Sequence, residues 1–118
     1  MNDVVAIGEL LVDFIQNGSS DKGNPIFEAN PGGAPCNVLA MLSRLGYSTV
    51  FIGKVGEDYF GRMLGKTVRE TGISDEGLLY DRNVNTTLAL VHTLPGGDRD
   101  FSFYRKPGAD IMLTDEEV

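Results

Sequence analysis

Asp13, the doublet Gly32-Gly33 and Asn37 are the residue types from which a cradle for a polyol is built. A carboxylate accepts two adjacent hydroxyl protons at once, and an asparagine supplies both a donor and an acceptor. Two glycines placed just before a helix let a ligand approach bare backbone, with amide donors and the positive end of the helix dipole aimed at it. The ligand implied is a sugar. Taken alone, the glycine pair reads equally well as a tight bend. Its meaning comes from its company: Asp13 upstream, Asn37 in the first helical turn, and Gly46 and Gly56 beyond. The remaining reactive types read more plainly. Cys36 is a small buried apolar residue and not a nucleophile. His92, set among leucines, packs in a strand. Asp98, Asp100, Asp110 and Asp115 lie in turn or cap contexts and read as solvated carboxylates. No spacing suggests a metal cluster.

These residues need elements to carry them. Val4-Val5-Ala6-Ile7 is a continuous apolar run closed by Gly8, which predicts a central strand buried on both faces of a parallel sheet. Leu10 to Ile15 continues as a strand leaving the core, and Gln16 to Asn24 reads as a loop. Pro25 to Ala29 predicts a brief second strand running into a bend from Asn30 to Pro35. Val38, Met41, Leu42 and Leu45 recur at helical spacing, which predicts a helix over about 35 to 45 with that stripe as its apolar face. Thr49 to Ile52 reads as a strand. Asp58 then caps a helix with Phe60, Met63, Leu64 and Val68 inward, and Gly72 stops it. Arg62, Lys66, Arg69 and Glu70 form its solvated face, with Lys66 and Glu70 able to pair.

The second half alternates with period two. Thr86 to Leu94 and Arg99 to Arg105 predict a hairpin turning at Pro95-Gly96-Gly97-Asp98, with Phe101, Phe103 and Arg105 on one face. This hairpin forms an antiparallel flap beside the βα core, joined by the strands around Phe14 and Phe27. Thr114-Asp115-Glu116-Glu117 reads as a capping box that opens a further helix, so the expectation is the N-terminal piece of a larger enzyme.

Composition narrows the class. Among 118 residues, 17 acidic side chains oppose 10 basic ones, and the resulting charge of −7 would repel a phosphate backbone, so no nucleic-acid partner is expected. One cysteine excludes a disulfide-stapled scaffold. No stretch approaches the ~20 apolar residues of a membrane span, and the start lacks the basic run of a signal peptide. The expectation is a cytoplasmic protein with no membrane partner.

Three segments carry a resemblance: Val5 to Asp13 (V-A-I-G-E-L-L-V-D), Pro31 to Asn37 (P-G-G-A-P-C-N) and Gly53 to Gly61 (G-K-V-G-E-D-Y-F-G). Together with Thr86 to Val91, Phe101 to Arg105 and Gly108 to Glu117, they make the chain similar to the N-terminal half of the ribokinase/PfkB carbohydrate kinases, and within that family to bacterial fructokinases. Leu39 departs from the pattern, standing where the family usually keeps a small residue.

The resemblance implies an α/β fold, the N-terminal portion of a Rossmann-like ribokinase fold with a small antiparallel β-sheet lid. The core would take about 1–12, 31–80 and 107–118, and the lid strands about 13–30 and 84–106. It implies phosphoryl transfer from ATP, with Mg²⁺, to a primary hydroxyl of a sugar. Carried over, Asp13, Gly32, Gly33 and Asn37 would hold the sugar, and Leu90, Phe103 and Arg105 would face it from the lid. The family's catalytic base lies in a C-terminal G-A-G-D segment that does not occur here, so no catalytic, nucleotide-binding or metal residue is assigned and the 118 residues are expected to be inactive alone. Fructose is favoured as substrate. A 2-keto-3-deoxygluconate kinase is the alternative, which an aromatic-x-Arg pair at the lid suits but a carboxylate at Asp13 opposes. A noncatalytic sugar-binding or subunit-association module is the alternative of another class, and a homodimer through the lid is the partner expectation.

Overall fold

The computed structural model describes residues 3–94, 96–104 and 108–118. Its order is β1 (Val4–Ile7), β2 (Leu11–Ser19), β3 (Pro25–Gly32), α1 (Ala34–Arg44), β4 (Thr49–Gly56), α2 (Tyr59–Glu70), β5 (Ser74–Asp81), β6 (Leu88–Thr93), β7 (Arg99–Tyr104) and a short 3₁₀ turn at Ala109–Ile111. The strands form two sheets. A parallel three-stranded sheet has the order β1-β4-β5, and a four-stranded sheet the order β3-β2-β6-β7.

The parallel sheet lies in the core. Phe51 and Val55 of β4 are fully buried, and Leu39 of α1 with Leu64 and Val68 of α2 close over the sheet. Each such side chain removed from water contributes roughly 1.5–3 kcal/mol. Among the described strands β4, not β1, is central: β1 pairs only with β4, and its Val5 and Ile7 are 52% and 55% exposed. The Val4–Ile7 run is therefore covered on one face. A second apolar run, Thr49 to Ile52, is the one that gains neighbours on both edges.

α1 corrects its expected face. Val38, Met41 and Leu45 are 58%, 66% and 69% exposed, while Leu39 is buried and Cys36 and Ala40 pack against the core. The helix start is fixed by Gly33 at φ 122, the N-cap, where any side chain would strike the Glu9 carbonyl oxygen. That anchor turns the row Cys36, Leu39, Ala40 and Ser43 inward, and the Ser43 hydroxyl reaches the Thr49 hydroxyl at 2.5 Å. Leu39, out of pattern by size, is thus a principal core residue. α2 follows its expected stripe: Leu64 and Val68 are buried, Phe60 and Met63 are partly buried, and the Asp58 carboxylate accepts the Gly61 N–H at 2.7 Å.

The four-stranded sheet is two hairpins side by side. β2 pairs antiparallel with β3, β6 pairs antiparallel with β7, and β2 runs parallel to β6. The sheet is therefore mixed, not purely antiparallel, because β2 and β6 leave the core in the same direction. β2 extends through the expected loop to Ser19, with the register shifting between Gln16 and Ser19 around Gly18. β3 runs on through Pro31, tolerated in an edge strand, to Gly32. β5 is an unexpected strand, since Ser74 to Gly77 offers no apolar pattern and only Leu78 is deeply buried.

Candidate functional site

The site residues collect where β1 ends and the second sheet begins. In open α/β sheets this edge, beyond the carboxyl ends of the parallel strands, is where ligands bind. Asp13 projects from β2. Its in-register partners are Asn30 on β3 and Ala89 on β6, and Ala89 in turn pairs with Phe103 on β7. Residues in one such row point to one face of a sheet, so Asp13, Asn30, Ala89 and Phe103 share a surface. Phe101, two residues back, stacks on Phe103 with ring centroids 6.4 Å apart. Both rings are exposed, an apolar wall on the face that carries Asp13.

The glycine doublet meets the acid directly. A Cβ on Gly32 would overlap the Asp13 carboxylate, so the acid lies against bare backbone. Gly33 caps α1 without a side-chain hydrogen bond, and the first turn holds no acidic residue. Asn37 follows one turn on, its N–H donating to the Gly33 carbonyl at 3.3 Å, and its side chain is exposed. Asp13 thus lies against the glycine doublet, and Asn37 stands one helical turn beyond Gly33. Gly32 and Asn37 also border a mainly apolar cleft between α1 and α2, whose space of about 60 Å³ is far below the roughly 300 Å³ at which ligand pockets begin.

Burial raises the Asp13 carboxyl above its ordinary value, and the nearby Glu9 carboxylate raises it further. An acid in that state gains from hydroxyl donors, which stabilise its charged form. Two residues here escaped the sequence reading. Glu9 stands four positions before Asp13, just past the end of β1, and its nearness was hidden by the intervening chain. Asn30 sits beside Asp13 only through the β2–β3 register.

Other expectations separate. Leu90 lies in the next row, with Phe14 and Ser102, on the opposite face from Asp13 and Phe103. Alternation in β6 forces this: Leu90 follows Ala89. Arg105 lies outside the described residues, as does Pro95 of the hairpin turn. Cys36 is half-buried, and burial pushes its thiol up, away from reactivity. His92 pairs with Asp100 across the hairpin at 3.3 Å. Asp110 is not a solvated loop carboxylate: it is half-buried and accepts a hydrogen bond from the Thr87 hydroxyl. Lys66 and Glu70 approach to 3.8 Å on the outer face of α2. Among the described residues no helix is long and apolar enough to cross a membrane.

Comparison with known proteins places this arrangement. Fructokinase-1 of Zea mays is 45% identical over 117 residues, which are 98% of this chain and 36% of that protein. The crystal structure of fructokinase from Xylella fastidiosa superposes with a TM-score of 0.90 at 36% identity, covering 97% of this chain and 35% of that one. A structure of the Xylella fastidiosa fructokinase with bound ATP superposes at 0.89 with 34% identity, covering 99% of this chain and 37% of that one. The chain thus spans about a third of the length of these relatives. The profile of the pfkB family carbohydrate kinases matches residues 1–117, and the chain belongs to that family.

Proposed function

We propose that this chain is the sugar-binding and lid part of an ATP-dependent sugar kinase whose substrate is fructose, converted to fructose 6-phosphate. The reaction breaks the bond between the γ-phosphorus of ATP and its bridging oxygen. It forms one to the sugar's primary hydroxyl oxygen, whose proton passes to a base. This segment's share is to hold and orient the sugar. Asp13 accepts hydrogen bonds from two neighbouring hydroxyls, the Gly32-Gly33 backbone lets the ring come close, and Asn37 completes the set. The Phe101–Phe103 wall excludes water from the transfer. ATP with Mg²⁺ is the donor this reading requires. Among the described residues no cluster of His, Cys, Asp or Glu is suited to the cation, and the reading assigns its site to no residue of this segment.

The observation that carries the proposal is the Asp13 carboxylate set against the Gly32 backbone, on the sheet face that also bears Phe103. Glu9 beside it favours a neutral sugar over an acid one, because two carboxylates repel a third. The test is a substrate panel on the protein made from the complete reading frame. Asp13→Ala should lower kcat/KM for fructose by roughly 100-fold with the fold intact. Unchanged kinetics, or wild-type preference for 2-keto-3-deoxygluconate over fructose, would refute it.

A further inference from the structure

The segment Gly53 to Gly61 and the threonine pair Thr86-Thr87 have so far been given no role in holding the sugar. In the structure they form one node. The Asp58 carboxylate caps α2 through the Gly61 N–H at 2.7 Å. It also accepts the Thr86 N–H at 2.9 Å and the Thr86 hydroxyl at 2.7 Å. The Thr86 oxygen accepts the Gly56 N–H at 2.9 Å. Glycine is required at both ends of the node: a Cβ on Gly56 would sit 2.5 Å from the Thr86 nitrogen, and one on Gly61 would strike the Gly56 carbonyl oxygen. Desolvation pushes the Asp58 carboxyl up, but hydrogen bonds from the Thr86 and Gly61 amides and the Thr86 hydroxyl, with the charge of Arg62, outweigh it and leave the acid below its ordinary value.

Thr86 and Thr87 are 4% and 0% exposed and stand immediately before β6. Thr86 faces the core node. Thr87 serves the other side: its carbonyl accepts the Val12 N–H at 3.1 Å and its hydroxyl donates to Asp110, where the chain returns from β7. The Ala109 N–H bonds the Asn85 carbonyl at 2.9 Å, closing the same root. The root of β6 is therefore tied both to the core and to the segment at Ala109-Asp110. Ala89, three residues beyond Thr86, belongs to the row of Asp13 and Phe103. A strand advances roughly 3.3 Å per residue, so the node lies only about 10 Å from that row along a continuous backbone.

We infer that Asp58 is a positioning residue for sugar binding: through Thr86 it fixes the root of β6 and so sets where the Phe103 face stands relative to Asp13. The inference rests on the proposed sugar site, and its test has an arm that does not. Asp58→Asn keeps an oxygen for the Gly61 cap and the Thr86 hydroxyl but turns an amide N–H₂ toward the Thr86 backbone N–H, and Thr86→Val removes the hydroxyl at nearly constant shape. In the protein made from the complete reading frame, both should raise the KM for fructose about tenfold with kcat within about twofold, and Thr86→Ser should restore wild-type values. By hydrogen exchange on the same protein without sugar, Asp58→Asn should lower protection of the β6 amides about tenfold and leave β1 and β4 unchanged. Equal KM values with only a fall in melting temperature would reduce Asp58 to a helix cap and overturn the inference, as would β6 protection that does not move. Lost β6 protection in a protein that binds no fructose would refute the sugar site and leave the tie at the β6 root standing.

Discussion

The two sheets are built on opposite principles. β4 is buried along nearly its whole length between β1 and β5, with helices closing over it. β7 is exposed at every position, and the sheet face that carries Asp13 ends in two exposed, stacked phenylalanine rings. The core sheet gathers its stability from burial within this chain. The outer part of the four-stranded sheet leaves apolar surface exposed and is held at its root by directed hydrogen bonds. Two aspartates express the same difference. Asp13, in the site, is shifted up and costs the folded state something, whereas Asp58, at the root, is shifted down and contributes.

This contrast can be broken most forcefully in the core. Phe51→Ala should cost about 3–5 kcal/mol, read by urea denaturation, because it empties the centre of the packed sheet. A loss comparable to that of a substitution in β7 would erase the distinction. Phe103→Ala should do the reverse: stability within about 0.5 kcal/mol of wild type, since the ring is exposed, but an approximately tenfold weaker KM for fructose in the protein from the complete reading frame. The smallest effect sharpens the aspartate comparison. The Asp58 carboxyl lies below 3.8 when folded, so its contribution is fully present above pH 3.8 and is lost as pH falls through the folded value. The stability gap between wild type and Asp58→Asn should therefore be constant above that pH and close below it. Asp13 runs oppositely, its penalty relieved as pH falls through its raised value.

Local chemistry explains what the sequence disclosed. α2 was readable because a capping aspartate and an apolar stripe agreed on one face. α1 carried two rows at helical spacing, and its long-range packing, anchored where Gly33 meets Glu9, buries Leu39 and leaves Val38 and Met41 exposed. β5 offered no pattern because an edge strand with one deeply buried residue needs none. In the site, Asp13 and the glycines were recognisable by type and order, while Asn30 and Leu90 were decided by register, which composition does not encode.

The parallel junction of β2 with β6 has a temporal consequence. Asp13 is synthesised early, yet its neighbours Ala89 and Phe103 come from the far end of the chain. The first hairpin must wait, one flank unpaired, until the helices and the inner sheet have brought the second alongside, and closing so wide a loop makes this pairing a late step. The row of Asp13, Ala89 and Phe103 is thus among the last features of the chain to mature, after the inner sheet that frames it.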